Sequence, residues 1–442
     1  MGSQKVSDYL LKIKLMNKKP YTLKTIKGIK TVIYPIKGVE TVRVELVFKT
    51  GSFYETGKKW GGLHFLEHLI NDGTKDFPTR MELGKFKEKH GLISNAYTGG
   101  KEFGFLTKGP HYSLEAALKL INQLAFSPLI KQSDFARELN IIENEHKSKW
   151  DNKYARFYKL IDEQHFGKNH LYIRDGMGQV EYIKTLSRKD VVKLHQDNLL
   201  ASNANLVVVG KVDPKKVEDL VNKIFNPPQK QIKKLIVPPI KPGKKSLIHY
   251  EDIKQEEMFV YWPLPGREKL SISDRVGIGI FNYILGGGGI NSILFKEIRQ
   301  KHGLAYKIYS KIGFSDKAGQ LGVWTNIKPE NHDQVLKLIR KSVYNFVNQP
   351  VDKKRFKKAY VFMNSQGYMS YDSVNGITGS LIVQMLNEKE IRLPKDYAEI
   401  ANKVDPESIR KLMQKYINPK NEFIAIMKNK DSSSKTKAPL RK

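Results

Sequence analysis

The 442-residue chain contains no cysteine. That excludes disulfides, thiolate zinc sites, iron–sulfur clusters and a cysteine nucleophile, and leaves His, Asp and Glu as the side chains able to hold a metal. Long apolar runs are missing too: no stretch of about 18 or more apolar residues occurs. The opening MGSQKVSDYLLKIKLMNKKP has neither an apolar signal core nor a small-residue cleavage site. These absences predict a cytoplasmic chain with no membrane span. Acidic residues are scarce, 45 against 77 Lys and Arg, for a formal charge of +32. Such an excess attracts nucleic acid, and a basic nucleic-acid-binding protein is one reading of the chain. The lysines are spread along the whole sequence, however, without an RNP, helix-turn-helix or zinc-finger pattern, so solvated lysine faces and no specific nucleic acid are the expectation.

What is present first is bulk. A chain of this length with 40% hydrophobic residues exceeds what one core accommodates. The run NPPQKQIKKLIVPPIKPGKK, Asn226 to Lys245, is rich in proline and lysine and reads as a linker. It separates residues 1–225 from 246–428, and 429–442 read as a basic disordered tail. The two halves repeat one another. FKEKHGL (Phe86 to Leu92) returns as EIRQKHGL (Glu297 to Leu304), and LKLI at Leu118 to Ile121 returns at Leu336 to Ile339. Each half reads as a strand hairpin, a helix, a strand pair and two further helices. Such a mixture predicts an α+β fold: two tandem homologous domains, each a mixed sheet with helices packed on one face.

The stretch GGLHFLEHLINDGT, Gly61 to Thr74, carries the chemistry. In a helix, residues four apart lie about 40° apart around the axis and residues three apart about 60°, so His64, Glu67 and His68 share a face. Two imidazoles at that spacing can direct nitrogens at one zinc, leaving the glutamate beside the metal as a base. Leu63, Phe65, Leu66 and Leu69 make the helix apolar nearly all round, and polar residues in a buried helix need partners. A third ligand is sought in SDFARELNIIENEHKSKW, Ser133 to Trp150. There Glu138 and Glu145 stand two turns apart on one face and Glu143 points away; His146 reads as surface, and His165 and His170 read as ordinary structural histidines.

This combination of His-x-x-Glu-His, SNAYTGG (Ser94 to Gly100), RELNIIENE and YILGGGGINSILFKEIRQKHGLAY resembles the pitrilysin, or M16, zinc metallopeptidases, over about Tyr21 to Lys428. The mitochondrial processing peptidases and two-domain bacterial proteins are among that family. The resemblance implies one Zn2+ per chain held by His64, His68 and Glu145, with Glu67 as general base and Glu138 orienting a ligating histidine. It further implies that Asn95 and Ala96 lie on a strand that holds the substrate backbone, and that Arg299 and Tyr306 sit near the scissile bond. The implied activity is endopeptidase cleavage of short unfolded peptides inside a chamber closed by dimerisation. A homodimer is the expected assembly, and a heterodimer with an inactive sister the rival. A non-catalytic or partner-dependent subunit is the alternative within the family. The counterpart of the metal helix in the second half, SISDRVGIGIFNYIL (Ser271 to Leu285), has no histidine or glutamate and is expected to hold no metal; the glycines after it are expected where backbones approach closely.

Overall fold

The structure, a computed structural model, describes residues 19–430; the tail beyond Lys430 lies outside the described residues. Strands β1 (Thr22–Ile26) and β2 (Ile29–Pro35) form a hairpin through Lys27 and Gly28, both at positive φ, as a two-residue turn matched to strand twist requires. With β3 (Thr41–Phe48), β4 (Ile93–Thr98), β5 (Phe103–Pro110) and β6 (Ala204–Gly210) they make a sheet in the order β1-β2-β6-β3-β5-β4. The strands β7 (Ser246–Glu251), β8 (Glu256–Pro265), β9 (Ala305–Phe314), β10 (Ala318–Ile327) and β11 (Phe423–Asn429) make a second sheet, β7-β11-β8-β10-β9. Setting β1 aside, the two orders correspond strand for strand, and in each the late strand pairs in parallel with the first, β6 with β2 and β11 with β7. The repeat is therefore real at the level of topology.

The helices used below are α1 (Gly62–Ile70), α2 (Arg80–Lys89), α3 (Leu114–Phe126), α4 (Phe135–Asp151), α5 (Lys153–Phe166), α6 (Ile272–Asn282), α7 (His332–Asn348) and α8 (Val374–Asn387). The two KHGL segments end α2 and the helical turns of Phe295–Lys301, with Gly91 at φ 61° and Gly303 at φ 65°, each leading into the first strand of a pair. The two LKLI segments lie in α3 and α7, where their leucines and isoleucines face the cores. Two helices, α1 and α2, precede the first strand pair rather than the one expected. α2 starts at a capping box in which Thr79 and Glu82 satisfy each other's backbone N–H.

The described residues form two compact units, and neither is continuous in sequence. One takes residues up to His146, Arg174–Leu235 and Tyr371–Ile391; the other takes Lys147–Ile173, Ile236–Ser370 and residues from Arg392 onward. This differs from a division at residues 225 and 246. In the first unit one sheet face, with Val44, Leu46, Phe48, Leu206 and Val208, packs on α1 and α3. On the opposite face Arg43 reaches Asn375 and Tyr34 meets Tyr371, so α8 covers the back of a sheet built from the first half of the chain. In the second unit Tyr261, Phe423, Ala425 and Met427 pack against Phe157 and Ile161 of α5, a helix from the first half. A sheet apolar on both faces needs two covers, and each unit takes its second from the other half of the sequence.

Candidate metal centre

α1 begins without a side-chain cap of its own. Gly61, at φ 105°, leads into it, and the buried Glu55 carboxylate accepts hydrogen bonds from Gly61 N (2.9 Å) and Leu63 N (2.6 Å). Burial pushes the Glu55 carboxyl up to about 7, against the opposing pull of those two N–H groups and of Arg174. Leu63, Phe65, Leu66 and Leu69 are fully buried, which fixes the rotation of the helix and turns His64 and His68 toward α4 and Glu67 toward Thr98 of β4.

The two histidine rings stand edge to face, 4.8 Å apart between centroids. Glu145 Oε2 lies 3.3 Å from His64 Nε2 and 3.6 Å from His68 Nε2, and the three side chains offer donor atoms all within 4.8 Å of one another. A tetrahedral ion bound at about 2.0–2.2 Å needs donors roughly 3.3–3.6 Å apart; the two carboxylate–imidazole distances meet this, and two imidazoles with a carboxylate are a donor set that suits zinc. Among the described residues this is the one such group of His, Asp and Glu. The choice between Glu138 and Glu145 is decided by side. Glu145, with 42% of its side chain exposed, faces the Nε2 atoms, whereas Glu138, 1% exposed, lies 3.1 Å from His68 Nδ1, behind the ring. Glu138 also accepts from Arg80 Nη2 (2.8 Å) and Arg137 Nε (3.1 Å), and both arginines pair with Asp72. Burial would raise the Glu138 carboxyl, but His68 and the arginines hold it low, and Asp72 beside it is raised by its own burial and by Glu138's charge.

Glu67 stands apart from the three donors. Its Oε2 lies 3.5 Å from His64 Nδ1 and accepts a hydrogen bond from Thr98 Oγ1 at 2.7 Å. Burial acts to lower the His64 pKa, but the carboxylates of Glu67 and Glu145 outweigh it and raise it above the ordinary imidazole range. Asn95 and Ala96 lie on β4, the outer strand of its sheet, paired on one side with Leu106 and Phe105 of β5; Asn95 is exposed and Ala96 buried. In the second unit the Arg299 guanidinium lies 5.1 Å from the Tyr306 ring centre, and both residues are exposed. Glu143 points away to Lys184, as expected. His146, expected at the surface, is buried with Nε2 3.3 Å from Met177 O, because the helix face it occupies is covered by the chain around Met177. Glu55, Thr98, Arg80 and Arg137 are absent from the sequence reading. Thr98 stood in view within SNAYTGG, whereas Glu55 caps a helix six residues on and carries no local signal.

The family profile described as Insulinase (Peptidase family M16) matches residues 31–173, and that described as Peptidase M16 inactive domain matches 185–360. The chain belongs to the M16 family. An uncharacterized zinc protease of Rickettsia felis is 25% identical over 93% of this chain and 95% of its own length. The zinc protease PqqE of Helicobacter pylori is 26% identical over 64% of each chain. Among solved structures, a protease from Helicobacter pylori superposes with a TM-score of 0.80 at 21% identity, covering 92% of this chain and 99% of that one. The first half of the periplasmic protease PqqL from Escherichia coli superposes at 0.83 and 16% identity, covering 96% and 94%. These superpositions carry the M16 fold. The profile described as inactive falls on the half whose counterpart helix, α6, has neither histidine nor glutamate. Gly286 after it lies where a Cβ would meet Ser310 N at 2.5 Å, which is the close backbone approach expected of that glycine run.

Proposed function

We propose that this M16 chain is a zinc-dependent endopeptidase acting on short, unfolded peptides. The observation that carries the reading is the gathering of His64 Nε2, His68 Nε2 and Glu145 Oε2 about one point, with Glu67 alongside but outside it. One Zn2+ would be held by those three side chains, and when bound it would lower the pKa of water to about 7 and polarise a peptide carbonyl. Glu138 keeps the His68 ring oriented by accepting from Nδ1. Glu67 takes the proton from the attacking water on its carboxylate and passes it to the leaving amine. The exposed edge of β4 around Asn95 offers backbone groups to an extended peptide, a mode of holding that is indifferent to most side chains. In a pair of copies, Tyr306 or Arg299 of one copy would donate to the oxyanion developing at the other copy's site.

The test is cleavage of a quenched fluorescent peptide by the purified chain and by Glu67→Gln, with zinc determined on both. The expected result is about one zinc in each and a kcat at least ~100-fold lower in the variant. If both hold zinc and neither cuts, the non-catalytic or partner-dependent reading replaces this one.

We also propose that two copies associate to close the chamber. The support is length: this chain covers 49% of the full Escherichia coli PqqL structure, so that chain is about twice as long.

A further inference from the structure

Glu67 stands one residue before His68 and three after His64 on the same helix, and a free carboxylate so placed would join any ion they held. Something must keep it off. In the structure its Oε2 is engaged by Thr98 Oγ1 at 2.7 Å, the last residue of β4. We propose that Thr98 is a positioning residue whose hydroxyl holds Glu67 out of the ion's coordination sphere, and that the turn Asp175–Gly178 is the spacer that sets Thr98 against α1. The inference rests on the reading that His64, His68 and Glu145 hold a metal.

The backbone around Thr98 is clamped from two sides. Ser52 N and Phe53 N donate to Gly99 O (3.0 Å) and Gly100 O (2.8 Å), and Gly99 N donates to Glu102 O (2.7 Å). Gly51 approaches Gly99 so closely that a Cβ on it would overlap Gly99 O. On the other side lies the turn. A Cβ on Gly176 would overlap Thr98 O, and a Cβ on Gly178 would overlap Gly61 at the start of α1. Two glycines two residues apart thus touch the end of β4 and the beginning of the helix that carries Glu67. The turn is itself held: Trp60 Nε1 donates to Asp175 O (3.1 Å), Gly178 N to Asp175 Oδ1 (3.1 Å) and Gln179 N to Trp60 O (3.1 Å). With both backbones pinned at van der Waals distance through the same turn, the Thr98 hydroxyl has a fixed reach to Glu67, and its 2.7 Å bond is the shorter of the carboxylate's two contacts, the other being His64 Nδ1 at 3.5 Å.

The experiment compares the wild type, Thr98→Ser and Thr98→Val loaded with Co2+, whose visible absorption weakens as coordination number rises above four. Peptide kcat and KM are measured on the zinc-loaded proteins, with thermal midpoints as a check on folding. In Thr98→Val the cobalt bands are expected to weaken as Glu67 joins the ion, and kcat to fall ~10-fold or more with KM within about twofold. Thr98→Ser, which keeps the hydroxyl, is expected to retain the wild-type spectrum and kcat within about threefold. Gly176→Ala, which pushes on Thr98 without touching Glu67, is expected to shift the spectrum in the same direction as Thr98→Val. An unchanged cobalt spectrum in a folded Thr98→Val overturns the inference, even if kcat falls, because Glu67 then stays off the ion unaided. A wild type that takes up no cobalt refutes the metal reading itself, and the inference with it.

Discussion

His165 is buried in the second unit with neither ring nitrogen hydrogen-bonded among the described residues, and burial lowers its pKa to about 4. Unfolded, the same imidazole titrates near 6.5, so between those values the unfolded chain binds more protons than the folded one. Stability therefore falls as pH drops through that window, by about 3 kcal/mol in all. Denaturation midpoints measured from pH 7 to 4 are expected to show this loss, and His165→Phe to remove most of it. At the metal centre, Glu138→Ala leaves His68 Nδ1 without its acceptor. Metal affinity is expected to drop ~10–100-fold, measured by competition with a chelating dye. Glu143→Ala, whose carboxylate faces Lys184 on the far side of the same helix, is expected to leave it unchanged. Most of these residues were legible beforehand: His64, Glu67 and His68 follow from helical spacing alone. Glu138 and Glu145 could not be told apart by spacing, because both lie on one face and only the position of α1 says which meets Nε2 and which Nδ1.

At the scale of elements, the repeat makes a paired prediction. Gly91 and Gly303 occupy equivalent left-handed positions, and an added Cβ meets nothing closer than Pro110 at 3.4 Å at the first and nothing at all at the second. The cost of Gly91→Ala and of Gly303→Ala is then backbone strain alone, about 1 kcal/mol each, and the two are expected to match in denaturant melts. Strand pairs and long helices were readable from periodicity, whereas the late strands β6 and β11 were not. ANLVVVG is apolar without alternation because it is buried on both faces between β2 and β3, and such a run cannot be told from a helix segment by period.

On the scale of the whole molecule, the proposed pairing of two copies predicts a mass near twice that of one chain in light scattering. Specific activity is expected to fall on dilution below the dissociation constant. A monomer with undiminished activity at every concentration rules it out. Among the described residues no helix is long and apolar enough to cross a membrane.

By itself the sequence determined the duplication and the shared helical face of His64, Glu67 and His68. These are matters of residue type and local spacing, which a helix converts into geometry unaided. Only the tertiary structure decided that α5 and α8 are exchanged between the units, that Glu145 and not Glu138 faces the Nε2 atoms, and that Thr98 reaches Glu67. Each depends on which surface is left uncovered once the sheets have formed, and burial of that surface draws its partner from wherever in the chain it can be supplied.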